Sequence, residues 1–218
     1  MSTRPAIIVK LGGSYARSPL LRSWLRAVEA AAGRVVLVPG GGPFADTVRA
    51  MQPVIGFDDD AADAMAMLAM AQFGRALCSV GDLLVPAESA EAITAALNDG
   101  HVPVWSPLPM ARSGFGLPAS WDVTSDSLAL WLARRLGAAA LLLIKQRGGA
   151  GDFVTLSRDG VLDAFFPRLH EAYPCPVFLA GPGDVPADGL DPDRLPGARL
   201  VAGRAAQEMG SCLSASSS

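Results

Sequence analysis

Short runs of consecutive apolar residues recur along this chain, and several are closed at once by a glycine turn or a lysine. Ala6–Leu11, Arg34–Val38 and Ala138–Ile144 are rich in β-branched or leucine side chains and show no alternation of polarity. Such runs predict strands buried on both faces. Between them lie helical patterns at Pro19–Ala32, Phe44–Met51, Asp58–Val80, Ala87–Leu97 and Trp121–Arg135. In the longest of these, Ala64, Met67, Leu68 and Ala71 keep the spacing of a core stripe. Val102–Trp105, Pro176–Leu179 and Arg199–Val201 add further strands, and Phe153–Leu162 reads as a hairpin about Arg158-Asp159-Gly160. Strands alternating with helices predict an α/β fold, a three-layer αβα sandwich with a mostly parallel central sheet. In such sheets ligands lie outside the carboxyl ends of the strands.

Lys10 and Lys145 are the only lysines, against sixteen arginines. The chain is rich in Ala, Gly and Pro, so a bias against lysine codons accounts for most of that loss. Lysines that survive such a bias mark places that a planar guanidinium fork cannot fill. Each ends an apolar run, Ile7-Ile8-Val9-Lys10 and Leu142-Leu143-Ile144-Lys145. A compact cation at a strand end beside a glycine turn points to a phosphate site, and two point to phosphoryl transfer.

Bulk properties bound the alternatives. A chain of 218 residues builds one good core, so one domain is expected over 1–218, with segment 211–218 a frayed tail. Only 18% of residues are charged and the net charge is −3, with no basic stripe for nucleic acid. The longest apolar run, Leu136–Ile144, is nine residues long, about half a membrane span. Cys78, Cys175 and Cys212 have no metal-ligand spacing, and no leader pattern is visible, so a cytoplasmic protein with reduced thiols is expected. No residue is assigned to a metal.

The phosphate-binding fingerprints Gly-x-x-x-x-Gly-Lys-Ser/Thr and Gly-x-Gly-x-x-Gly are absent. In their place stand Lys10-Leu11-Gly12-Gly13-Ser14 and Gly40-Gly41-Gly42. Glycine lets backbone N–H groups approach a phosphate, and a helix starting after the turn adds partial positive charge. Thr124-Ser125-Asp126-Ser127 opens a helix, where these residue types also serve as plain N-caps. Asp58, Asp59, Asp60 and Asp63 open the long helix, where acids offset the macrodipole. His101 and His170 have no partner spacing and receive no role.

As an ordered set these segments resemble the amino acid kinase family. Val9-Lys10-Leu11-Gly12-Gly13-Ser14 is similar to its first phosphate loop, and Val38-Pro39-Gly40-Gly41-Gly42-Pro43-Phe44 to its acceptor-side glycine loop. Thr124-Ser125-Asp126 resembles its Thr/Asn-x-Asp motif, and Leu143-Ile144-Lys145 the strand before its Val-Asp-Gly turn. The resemblance runs from about residue 6 to 151. It implies an acceptor-side half over about 1–110 and a nucleotide-side half over about 111–205. It also implies homodimers or higher homo-oligomers, and transfer of the γ-phosphoryl group of ATP, with Mg²⁺, to a small anionic acceptor. By this resemblance Lys10 neutralises the transferred group, Asp126 orients the cations and Lys145 contacts the nucleotide. Gly12, Gly13, Ser14, Thr124, Ser125, Gly148 and Gly149 would hold phosphates, and Gly40, Gly41, Gly42 and Asp63 the acceptor. The chain departs from the family in having Arg147-Gly148-Gly149 where Val-Asp-Gly is usual, and in lacking a C-terminal lysine.

Within the family, Asp63-Ala64-Met65-Ala66-Met67-Leu68-Ala69 is similar to a segment of UMP kinases, but their Arg-before-Asp pattern is missing. Isopentenyl phosphate kinases carry a histidine where Asp46 stands. The same Asp63 segment, extended to Gly74, together with Trp121-Asp122-Val123-Thr124-Ser125-Asp126, most resembles a subgroup acting in methanofuran-type cofactor synthesis. That subgroup phosphorylates 5-(aminomethyl)-3-furanmethanol phosphate. The same fold also serves non-catalytic storage and binding proteins.

Overall fold

A computed structural model of the chain describes residues 6–111 and 116–202. The expected tail at 211–218 lies outside the described residues. In chain order the elements are β1 (Ile7–Leu11), α1 (Leu21–Glu29), β2 (Val35–Pro39), α2 (Gly42–Ile55), α3 (Asp59–Val80), β3 (Leu84–Ala87) and α4 (Ala90–Asn98). They continue with β4 (Val102–Trp105), α5 (Leu108–Ala111), α6 (Ser125–Leu136), β5 (Ala140–Ile144), α7 (Phe153–Arg158), α8 (Phe166–Ala172), β6 (Val177–Ala180) and β7 (Ala198–Arg199).

The strands form one seven-stranded sheet in the order β3-β4-β2-β1-β5-β6-β7. All pairs are parallel except β6 with β7. The apolar runs become its centre, and β1, β2 and β5 are buried at every residue. Helices cover both faces. On one, Val9, Val35 and Leu142 pack with Trp24, Leu25 and Val28 of α1. On the other, Ile8, Val36 and Leu141 pack with α6 and α8 through Leu130, Leu132, Phe166 and Leu169. Among the described residues no helix is long and apolar enough to cross a membrane.

Several readings from the sequence change. The helix α3 buries Met67, Met70, Phe73 and Leu77, while Leu68 is 47% exposed. This helix is apolar on nearly all sides, so spacing alone could not select the buried stripe. The segment read as a hairpin is helix α7. The Asp152 carboxylate accepts the N–H groups of Val154 and Thr155 and the Thr155 hydroxyl, which starts a helical turn despite two β-branched residues. The sequence patterns do not predict the short edge strand β3, whose few residues include Pro86, or the short helices α5 and α8. The helix α2 begins at Gly42 rather than Phe44, inside the glycine turn.

The chain order sets the site. From β1 the chain passes to β2 on one side, whereas β5 and β6 lie on the other. The crevice beyond the carboxyl ends of β1 and β5 is therefore the switch point where open α/β sheets bind ligands. In register, Lys10 pairs with Leu143 and Leu11 with Ile144. Both lysines thus emerge at that crevice.

Candidate active site

The turns after β1 and β2 meet backbone to backbone. A Cβ on Gly13 would lie 2.2 Å from the Gly42 nitrogen, and one on Gly40 would lie 2.4 Å from the Gly13 nitrogen. Gly42 also has a φ of +55°. Only glycine satisfies these demands. A matching pair closes the turns after β5 and β6, where a Cβ on Gly148 would lie 2.5 Å from the Gly181 nitrogen. The Gly181 N–H donates to the Asp184 carboxylate at 2.7 Å. This second turn, Gly181-Pro182-Gly183-Asp184, was missed in the sequence because its partner lies in a distant loop. Gly148 and Gly149 are in an exposed loop at this end of the sheet.

Between the two turn pairs, Asp126 joins both lysines. Its Oδ1 is 2.7 Å from Lys10 Nζ, and its Oδ2 accepts from Lys145 Nζ at 2.5 Å. Lys10 and Asp126 are almost wholly buried, whereas Lys145 is partly open. Burial lowers the Lys10 ammonium to about 8 and Lys145 adds to the fall, against the pull of Asp126. Burial alone would raise Asp126, but Lys10 and Lys145 together hold it down to about 2. The cluster is therefore two cations bridged by one anion, with an excess of positive charge. That excess suits a phosphate. The Tyr15 hydroxyl donates to the Lys145 carbonyl at 3.0 Å and fixes the chain at the exit of β5.

The position of Asp126 depends on a residue that the sequence did not reveal. Asp163 is buried and gathers the start of α6. Its Oδ2 accepts from the Thr124 and Ser127 N–H groups and the Thr124 hydroxyl, at 2.9, 2.9 and 3.0 Å. Its Oδ1 accepts from the Ser127 hydroxyl at 2.6 Å and the Phe166 N–H at 2.9 Å. Burial, and then the nearby Asp126, pushes the Asp163 carboxyl up. Thr124 and Ser127 thus serve as structural donors, while Asp126 between them is aimed at the lysines.

A cavity of about 240 Å³ opens beside the first turn pair. Its lining combines the glycine turns and hydroxyls of Gly13, Ser14, Gly41, Gly42, Thr124 and Ser125 with the apolar Met67, Met70, Val123 and Leu128. Asp46, Arg49 and Trp121 complete it. Neither Gly12 nor Gly40 lines the cavity. Asp63 does not line it either. It faces a smaller adjoining pocket with Asp59, Ala62 and Ser120, and Ala66 and Trp121 are common to both spaces. Burial, and then Asp60, raises the Asp63 carboxyl. Among the described residues no group of three or more His, Cys, Asp or Glu side chains could hold a metal ion.

Comparison with known proteins agrees with this architecture. In sequence, the chain is 24% identical over 147 residues to (5-(aminomethyl)furan-3-yl)methyl phosphate kinase of Methanocaldococcus jannaschii, covering 66% of this chain and 68% of that protein. In structure, it is similar to the uridylate kinase of Archaeoglobus fulgidus, with a TM-score of 0.66 and 14% identity over 90% of this chain and 100% of the other. The UMP kinase of Ureaplasma parvum gives a TM-score of 0.60 and 17% identity over 84% and 92% of the two chains. The model of the amino acid kinase family matches residues 5–149, from the first buried strand through the loop after β5, and the chain belongs to that family.

Proposed function

We propose that the chain is an ATP-dependent phosphotransferase that moves the γ-phosphoryl group onto the phosphate of a small acceptor, 5-(aminomethyl)-3-furanmethanol phosphate. The bridging of Lys10 and Lys145 by Asp126 at the switch point carries the kinase reading. Phosphoryl transfer through a loose transition state needs placement and charge neutralisation, and an acceptor that is already an anion needs no base. Lys10, buried between the turns, would neutralise the transferred group. Lys145, on the β5–β6 side, would hold the nucleotide phosphates, with Gly148 and Gly149 beside them. The acceptor would occupy the cavity that ends at Gly13, Gly42 and Ser125. Both Asp126 oxygens face lysines, so the protein would take Mg²⁺ already bound to the nucleotide and still partly hydrated. The furan acceptor is supported by the matched relative's activity and by a cavity whose lining is partly apolar and partly polar.

The test is a panel of acceptors with Mg-ATP, followed by ³¹P NMR. The furan phosphate should give ADP and a diphosphate, with kcat/KM at least about tenfold above UMP and isopentenyl phosphate. Preference for UMP would replace the acceptor and keep the kinase. Nucleotide binding without turnover of any acceptor would make the chain a binding protein. A cytoplasmic homodimer belongs to the same proposal. The support for the dimer is the face of α2 and α3 where Phe44, Met65 and Leu68 are 41%, 38% and 47% exposed around a shared groove. Leu68→Asp should then yield a monomer by light scattering.

A further inference from the structure

Asp46 and Arg49 stand three residues apart on α2, and both line the cavity. Opposite charges at this helical spacing ordinarily pair with each other. Here neither has an ion-pair partner among the described residues. The Arg49 guanidinium instead lies over the Trp121 indole, 4.3 Å from the ring centroid. That ring is itself held. Trp121 Nε1 donates to Gln52 Oε1 at 2.7 Å, and Gln52 Nε2 donates to Asp59 Oδ1 at 2.8 Å. The wall therefore runs from the start of α3, through α2, to the indole. It keeps Arg49 on one side and leaves Asp46 open.

We propose that Asp46, Arg49 and Trp121 select a zwitterionic acceptor, one with a phosphate and an ammonium on a flat unsaturated ring. This deepens the kinase reading above and rests on it for the site's purpose. Trp121, with Met67 and Met70 of the same cavity lining, would take the ring, since thioethers and indoles both favour π faces. Arg49 would take the phosphate that the acceptor already carries, in the bidentate manner natural to a guanidinium. Asp46 would take the ammonium. A phosphate acceptor without an ammonium would leave the Asp46 carboxylate unpaired beside a second anion, so Asp46 also rejects. The carboxylate that reads the amine is then Asp46 and not Asp63, which lies across Trp121 in the smaller pocket.

Two probes decide this by calorimetric titration. One is a furan bearing phosphomethyl and aminomethyl groups; the other carries methyl in place of aminomethyl. Wild type should bind the amine about tenfold or more tightly, the scale of one charge pair in a partly desolvated site. Asp46→Asn should bind both alike, and Asp46→Lys should reverse the preference. Arg49→Gln should weaken both by a similar factor. Asp63→Asn should keep the wild-type preference. Equal binding of the two probes by wild type would overturn the proposal. So would a preference that survives Asp46→Asn, or one erased by Asp63→Asn instead. Turnover with ATP separates the two levels. A charge preference in binding without phosphoryl transfer removes the kinase reading and keeps this one. Transfer to both probes at equal kcat/KM does the reverse.

Discussion

Gly13 and Gly42 are packed so closely that a methyl group on Gly13 would lie 2.2 Å from the Gly42 backbone nitrogen. Neither strand alone requires this. It arises because β1 and β2 pair in parallel, Leu11 opposite Pro39, and their turns leave the sheet side by side. The contact fixes the distance between the first lysine and the cavity.

Gly13→Ala should therefore push the two turns apart. The obstacle is backbone on both sides, so no side chain can swing away. Overpacking of this kind costs roughly 1–3 kcal/mol. A lower Tm should accompany a loss of turnover larger than the loss of stability explains, because the turn directly follows the strand that carries Lys10. Full activity at reduced Tm would show that the contact serves the fold alone.

Lys10→Ala should lower the rate by roughly 10²–10³, the usual loss when one charge-stabilising donor is removed. Its effect on stability should fall short of the ~3–5 kcal/mol for orphaning a buried ion, because Lys145 still faces Asp126. Lys10→Arg should also fail. The Lys10 side chain is 4% exposed, and a planar fork does not fit a space shaped for a point charge. Near-normal turnover by the arginine variant would sink this reading of the two lysines.

Activity and stability should move in opposite directions at alkaline pH. Lys10 titrates at about 8 in the folded protein against 10.5 ordinarily, chiefly because it is buried. Between those values the unfolded chain binds more protons than the folded one, so this group's contribution to stability rises with pH. Transfer needs the charged ammonium, so kcat/KM for ATP should fall through an apparent pKa of about 8, a value that belongs to the cluster as a whole. At the acid end, Asp126 is depressed to about 2 from 3.8, so the stability it adds above 3.8 is lost as pH falls toward 2. The measurements are rate–pH profiles and Tm of wild type against Lys10→Met. An alkaline limb at 10 or higher would contradict the first part.

What the sequence disclosed followed from how local each signal was. The strands β1, β2 and β5 were legible because burial on both faces leaves an unbroken apolar run. Lys10 and Lys145 stood out by scarcity, and Asp126 by its place at a helix start. Their convergence needed the strand order, which puts β5 beside β1 although the two are far apart in sequence. Asp46 stood out only as a departure from the histidine of isopentenyl phosphate kinases, and Arg49 gave no signal, since opposite charges three apart on a helix look like any solvated pair. Trp121 was noticed only as part of a resemblance. Its role as the partition between Asp63 and the cavity depends on Gln52 and Asp59, which no spacing rule connects to it.

Asp163 is the hardest of these residues to foresee and the sharpest to test. Its carboxylate lies 36 to 39 positions from the α6 groups that donate to it. Asp163→Asn keeps the shape but turns one acceptor into a donor, facing N–H and O–H groups that also donate. Leaving buried donors unmatched costs about 1–3 kcal/mol. The start of α6 should then shift, and Asp126 with it. A displacement near 1 Å in such a cluster can lower kcat by about 10²-fold. Under the proposed function ATP is held more by Lys145 and the β5–β6 turns, so its binding should change less and kcat should fall more than KM for ATP rises. The alkaline limb should also move, because Lys10 would lose part of its carboxylate partner. A variant with lower Tm but wild-type kcat and an unmoved pH profile would confine Asp163 to holding helix α6 in the fold.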